Sequence, residues 1–156
     1  MRPIELKIKG INSYREEQVI NFNQLTSQGF FGIFGPTGSG KSTILDAITL
    51  ALYAKLPRGS KNFININETS ASVSFHFSIT TTETKEYLVE RSFRYPGKDR
   101  SSTARNTTAR LSLLSDIDAE VLADKPTDVT RCCIDLLGLS SDDFLRTVVL
   151  PQGQFS

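Results

Sequence analysis

Gly35-Pro36-Thr37-Gly38-Ser39-Gly40-Lys41-Ser42-Thr43 matches G-x-x-x-x-G-K-[ST], the phosphate-binding P-loop, at every fixed position. Before it, Phe30-Phe31-Gly32-Ile33-Phe34 reads as a short buried strand, and Ser42 to Ala54 after it reads as a helix. Strand, glycine-rich loop and helix in that order are the context the motif needs. Gly35, Gly38 and Gly40 let the backbone approach a ligand closely, so that successive N–H groups converge on phosphate oxygens. The helix N-terminus adds roughly half a positive charge, Lys41 can reach the β- and γ-phosphates, and the Ser42 hydroxyl can ligate Mg²⁺. A nucleotide-binding protein is the expectation.

Working outward, Ile44, Leu45, Ala47, Ile48, Leu50, Ala51 and Leu52 make the helix after the loop apolar almost all round, so it must be covered on most sides. A sheet wrapped around one central helix would do this, which places the chain in the α/β class. Ile4, Leu6 and Ile8 alternate with charged residues as a half-buried strand, and Val19 to Phe22 supplies a hairpin partner. Pro57 to Asn62 reads as a loop. Ser72 to Ile79 and Glu86 to Arg94 alternate around the turn Thr80 to Thr84, as an antiparallel hairpin with Tyr87, Val89 and Phe93 in phase. Pro96 to Thr103 carries no period and is expected to be mobile, after which Arg110 to Leu114 and Val121-Leu122 form a further strand pair. Thr127 or Asp128 can cap a helix ending near Leu137 with Gly138 as its stop, and Ser140 with Asp143 opens another running to about Val149. One lobe over 1–156 is expected, with an antiparallel region over about 72–122 and a helical part from about 127.

Composition narrows the class. With 156 residues and 38% apolar content the chain can bury a core, and 18 basic against 17 acidic residues leave no bulk charge to argue for nucleic acid. No apolar run is long enough for a membrane span, and Met1 to Gly10 alternates instead of forming a signal peptide, which reads as cytoplasmic. Cys132 and Cys133 are adjacent, a strained arrangement for a disulfide, and read as buried or half-buried thiols. His76, the only histidine, falls on the solvated side of its strand and carries no catalytic expectation.

Thr147-Val148-Val149-Leu150-Pro151-Gln152-Gly153-Gln154-Phe155-Ser156 is the second informative stretch. Alone, Pro-Gln-Gly is a turn. Together with the P-loop it resembles the N-terminal half of an ABC-type ATPase head, with Gln152 as the Q-loop glutamine. More narrowly the chain resembles the SbcC family, ATPase subunits of the bacterial SbcCD nuclease, and its archaeal and eukaryotic counterparts in double-strand-break repair. The resemblance covers essentially the whole chain. It rests on Gly10-Ile11-Asn12-Ser13-Tyr14, Ile20-Asn21-Phe22, the block Gly35 to Tyr53, Val121-Leu122-Ala123-Asp124-Lys125, and Phe144-Leu145-Arg146-Thr147 leading into Leu150 to Phe155.

The resemblance implies a P-loop ATPase fold, with ATP and Mg²⁺ as ligands. Gly38, Gly40, Lys41, Ser42 and Thr43 would hold the triphosphate. Ser42 and Gln152 would complete the metal shell, and Gln152 would sense the γ-phosphate and orient water. Asn12 and Ser13 fall where archaeal relatives carry an arginine and a serine near the nucleotide, so Ser13 carries over and a charged contact from Asn12 does not. Ile64 and Ile66 fall where relatives pack apolar side chains near the base, and fit ordinary core equally well. The implied partners are a C-terminal lobe reached through a long coiled coil, a second head that closes over ATP, the SbcD nuclease and double-stranded DNA. Walker B and signature motifs are not in this sequence, so it is expected to be an N-terminal fragment with little turnover of its own.

Lys85, Arg91, Arg94, Lys98, Arg100, Arg105 and Arg110 give one hairpin and loop a local basic excess, readable as a DNA contact or as a solvated face. Two other readings compete with the first: a condensin-like or RecF-like head, and a nucleotide-responsive binding module without catalysis.

Overall fold

The computed structural model describes residues 1–22, 39–56, 63–97, 100 and 102–146, and of residues 39–42 the backbone alone. The expected strand Phe30 to Phe34, the loop Pro57 to Asn62, Gly35 to Gly38, Lys98 and the stretch from Thr147 to Ser156 lie outside the described residues. In chain order the elements are β1 (Arg2–Lys9), β2 (Gln18–Asn21), α1 (Ser39–Tyr53), β3 (Ser70–Thr80), β4 (Thr84–Arg94), β5 (Arg105–Leu114), β6 (Ala119–Ala123) and α2 (Pro126–Leu137). A further helical turn or two occupies 141–146.

The six strands form one sheet in the order β2-β1-β3-β4-β5-β6, and every neighbouring pair is antiparallel. The first hairpin and the later antiparallel region, which the periodicity treats separately, are joined by β1 against β3 with Leu6 opposite Phe75 and Ile8 opposite Val73. Because strand side chains alternate between faces, this register puts Leu6, Ile8, Val73, Phe75, Phe77, Tyr87, Val89, Phe93, Ala109 and Leu111 together on one buried face. Aromatic rings run across it: Phe75 stacks on Phe77 at 5.3 Å, Phe77 on Tyr87 at 5.6 Å, and Phe63 meets Phe93 edge-on at 5.2 Å.

α1 packs on this face with α2 beside it. From Thr43 to Tyr53 no residue of α1 is exposed, as its all-round apolar pattern demands. α2 contributes Val129 and Cys133. It starts differently from the reading of Thr127 or Asp128 as its cap. Lys125 is the N-cap, in extended conformation and with no side-chain cap bond, because Pro126 takes the first helical position, where its fixed φ fits and its missing N–H costs nothing. Gly138 does stop the helix, in the left-handed region with its N–H donating to Ile134 O at 2.8 Å. Ser140 Oγ accepts from the Asp143 N–H at 3.2 Å, the expected cap of the helical segment that follows. Tyr53 ties that segment to α1: its hydroxyl donates to Leu139 O at 3.0 Å and its ring lies 5.8 Å from Phe144. Among the described residues no helix is long and apolar enough to cross a membrane.

Candidate functional site

Two residues with positive φ turn the chain back over α1 directly after β1. Gly10 has φ +73°, and a Cβ there would stand 2.5 Å from Ser70 O, so the position admits only glycine. Asn12 has φ 52°, a conformation asparagine tolerates better than most residues. The turn is sewn to the segment around 63–68. Asn12 N donates to Phe63 O at 2.7 Å, Asn65 N to Gly10 O at 2.8 Å, and Asn65 Nδ2 to Asn12 O at 2.7 Å. The same segment is held from its other side by Arg100, whose guanidinium donates to Glu68 O at 2.6 Å, Asn65 O at 3.0 Å and Ile64 O at 3.2 Å and lies 4.9 Å over the Tyr95 ring.

The tip of this bracket is the Asn12 side chain. Its Nδ2 donates to Thr43 Oγ1 at 3.3 Å and to Asp46 Oδ2 at 3.4 Å, on two buried residues three positions apart on one face of α1. The bracket therefore fixes the N-terminal half of the helix that the P-loop sequence feeds. Ser39 and Gly40 form the first turn of α1, with Lys41 and Ser42 following in helical backbone. No acidic residue stands in that first turn to offset the positive pole of the helix.

Of the residues singled out in the sequence, Thr43 lies under the bracket and Ser13 is exposed at its tip. Ile64 and Ile66 part company: Ile64 is buried in the core, whereas Ile66 is 82% exposed on the same segment. Gly35, Pro36, Thr37, Gly38 and Gln152 lie outside the described residues. Among the described residues no group of three or more His, Cys, Asp or Glu side chains stands together as a metal nest.

The basic hairpin needs correction at two positions. Arg91 is 2% exposed, on the core face of β4, and makes five hydrogen bonds there. Arg100, expected in a loose loop, is consumed in bracing residues 64–68. Neither guanidinium is free for a phosphate backbone. Lys85 lies 3.6 Å from Glu83, and Arg94, Arg105 and Arg110 are exposed. Arg94 stands directly opposite Arg105 across β4 and β5, a like-charge pair. His76 donates or accepts at 2.7 Å with Glu86 on the solvated face of the sheet, as its phase predicts.

Sequence reasoning missed Arg91 and Asn65. Arg91 carried a signal, because it shares the two-residue phase of Tyr87, Val89 and Phe93. Asn65 carried none, since only the folded loop brings it to Gly10 and Asn12.

The chain is 52% identical over 156 residues to the SbcC subunit of the SbcCD nuclease from Clostridium acetobutylicum and 49% identical over 159 residues to that from Bacillus subtilis, in each case over 100% of its own length. It is 34% identical over 160 residues to a probable DNA double-strand break repair Rad50 ATPase of Aquifex aeolicus, over 99% of its length. It spans 13%, 14% and 15% of these three relatives respectively. The AAA domain model matches residues 5–154, nearly the whole chain from β1 through the proline-glutamine stretch, and the chain therefore belongs to the AAA domain family.

Proposed function

We propose that this chain binds ATP with Mg²⁺ at the N-terminus of α1, as the nucleotide-binding part of an SbcC-type ATPase. The observation that supports the reading is that the last residues of the P-loop sequence, from Ser39 on, begin a helix that has no exposed residue from Thr43 to Tyr53 and that Asn12 clamps near its start. A loop that must hold a triphosphate through backbone N–H groups needs such an immobile base, because preorganised donors lose little on binding.

In this reading Gly35, Gly38 and Gly40 shape the cradle, Lys41 neutralises the β- and γ-phosphates, and Ser42 and Gln152 offer hard oxygen donors suited to Mg²⁺, which takes few protein ligands and shares phosphate oxygens. Bound Mg²⁺ would supply charge neutralisation for phosphoryl transfer to water. Thr43, held by Asn12, fixes the rotation of α1 beneath the cradle. Gln152, six positions in sequence beyond the segment 141–146 that Tyr53 ties to α1, is assigned the reporting of nucleotide state. Ser13 and the exposed Ile66 border the same end of the bracket and are assigned to the rim of the nucleotide site, whereas Ile64 acts as core beneath it.

For the whole protein, the similarity to SbcC supports ATP-driven processing of DNA ends, with an SbcD-type nuclease, a second head and the chain's own C-terminal lobe as partners, acting in the cytoplasm. Efficient turnover is assigned to that assembly, because the glutamate that would polarise water and the signature serine are not among these residues. Thermal unfolding tests the binding step. Mg-ATP at about 100 times its Kd should stabilise the chain by about 2.7 kcal/mol. Lys41→Ala should abolish the shift, and an equal shift in that variant would refute the site.

A further inference from the structure

β4 presents Tyr87, Val89, Arg91 and Phe93 to the core, three apolar side chains and one guanidinium. The guanidinium's five hydrogen bonds all go to neutral oxygens. Arg91 Nε donates to Ala51 O at 2.7 Å and Nη2 to Leu52 O at 3.2 Å, both in the last turn of α1. Nη2 also donates to Thr130 Oγ1 at 2.9 Å and Nη1 to Pro126 O at 3.3 Å, both in the first turns of α2, while Nη1 donates to Asn106 Oδ1 at 2.7 Å. Four of the five bonds of one planar fork thus join the end of one helix to the beginning of another, and the fifth ties it to Asn106 on β5.

Helix electrostatics make the junction asymmetric. The last turn of α1 has no basic residue of its own, so its negative pole is complemented by Arg91 from a strand some forty positions away in sequence. At the start of α2, whose positive pole Asp128 in the first turn partly offsets, the same charge is held by the Pro126 carbonyl and the Thr130 hydroxyl. Burial draws the Arg91 pKa down to about 10, which leaves it charged at neutral pH. The far end of α2 returns to α1 through the Tyr53 hydroxyl on Leu139 O, so α1 grips α2 near both of its ends.

We propose that Arg91 is a positioning residue that couples the nucleotide-binding helix to α2: when bound phosphate restrains α1 further, the guanidinium passes that restraint to α2 and the segment 141–146. This rests on nucleotide binding at α1 as proposed above. A coupling of this kind needs an element that both sites bias, and the α1–α2 unit is that element.

Hydrogen–deuterium exchange of the full chain with and without Mg-ATP tests it, with nucleotide binding measured on the same samples. In the native chain, bound nucleotide should slow exchange in α2 by at least about threefold. Arg91→Lys, which keeps the charge but cannot span both helices, should bind nucleotide and lose that response. Thr130→Val keeps the Arg91 bonds to Ala51 O and Leu52 O and removes the one to the Thr130 hydroxyl; in folded protein it should reduce the response, and Thr130→Ser should restore it. An undiminished α2 response in folded Arg91→Lys or in Thr130→Val overturns the coupling, as does native binding with no response in α2. Absence of binding by the native chain overturns the nucleotide reading, and the coupling with it.

Discussion

Asn12 Nδ2 lies 3.3 Å from Thr43 Oγ1, so a left-handed turn after the first strand is fastened to the helix that the P-loop opens, 31 residues further along the chain. The contact makes the entrance of α1 part of the sheet rather than a free helix end. Asn12→Ala removes this bond and the one to Asp46 and puts a residue less tolerant of positive φ at the turn. The expected loss is about 1–3 kcal/mol, read by chemical denaturation, together with weaker nucleotide binding. A variant as stable as the native chain would show that the bracket does not restrain α1.

Cys133 is buried on α2 beside Arg91, and burial pushes its thiol up to about 12 from 9.0, with the guanidinium pulling the other way and Cys132 adding to the rise. Cys133 is therefore neutral and unreactive throughout the physiological range, whereas Cys132 is only half-buried. At pH 8 an alkylating reagent should label one thiol in the folded chain and two in denaturant. Between about pH 9 and 12 the unfolded chain releases the Cys133 proton while the folded chain keeps it, so the Cys133 contribution to stability is present below that window and lost as pH rises through it. Equal labelling of both thiols in the folded chain would contradict the packing of α2.

Of the arginines in the DNA contact proposed from the sequence, Arg94, Arg105 and Arg110 remain exposed. Double-stranded DNA binding by the chain should weaken steeply with salt, and Arg94→Ala combined with Arg105→Ala and Arg110→Ala should lower the salt slope by about 2–3. Arg100→Ala should instead loosen the segment 63–68 and lower stability with little change in that slope. An unchanged slope in the triple variant would remove DNA from this face.

Much of this molecule could be read from residue patterns. The run Ile44 to Leu52 announced a buried helix, and the alternation of Ser72 to Ile79 and Glu86 to Arg94 announced two paired strands. Periodicity gives strands but not distant partners, which is why the pairing of β1 with β3, more than sixty residues apart, was not foreseen. Arg91 has the phase of a core position on β4, inward with Val89 and Phe93, although its charge is of the kind that ordinarily faces water. At the start of α2, Pro126 was a better boundary marker than the capping residues after it. Arg100 and Asn65 were beyond reach, because both act on backbone carbonyls of loops whose positions exist only in the folded chain.

Titration calorimetry of Mg-ATP into the chain, beside Lys41→Ala, tests the nucleotide site most directly. Saturable one-to-one binding that the substitution abolishes is the predicted result. No binding by the native chain, or the same affinity with Lys41 removed, would contradict a nucleotide site at the N-terminus of α1.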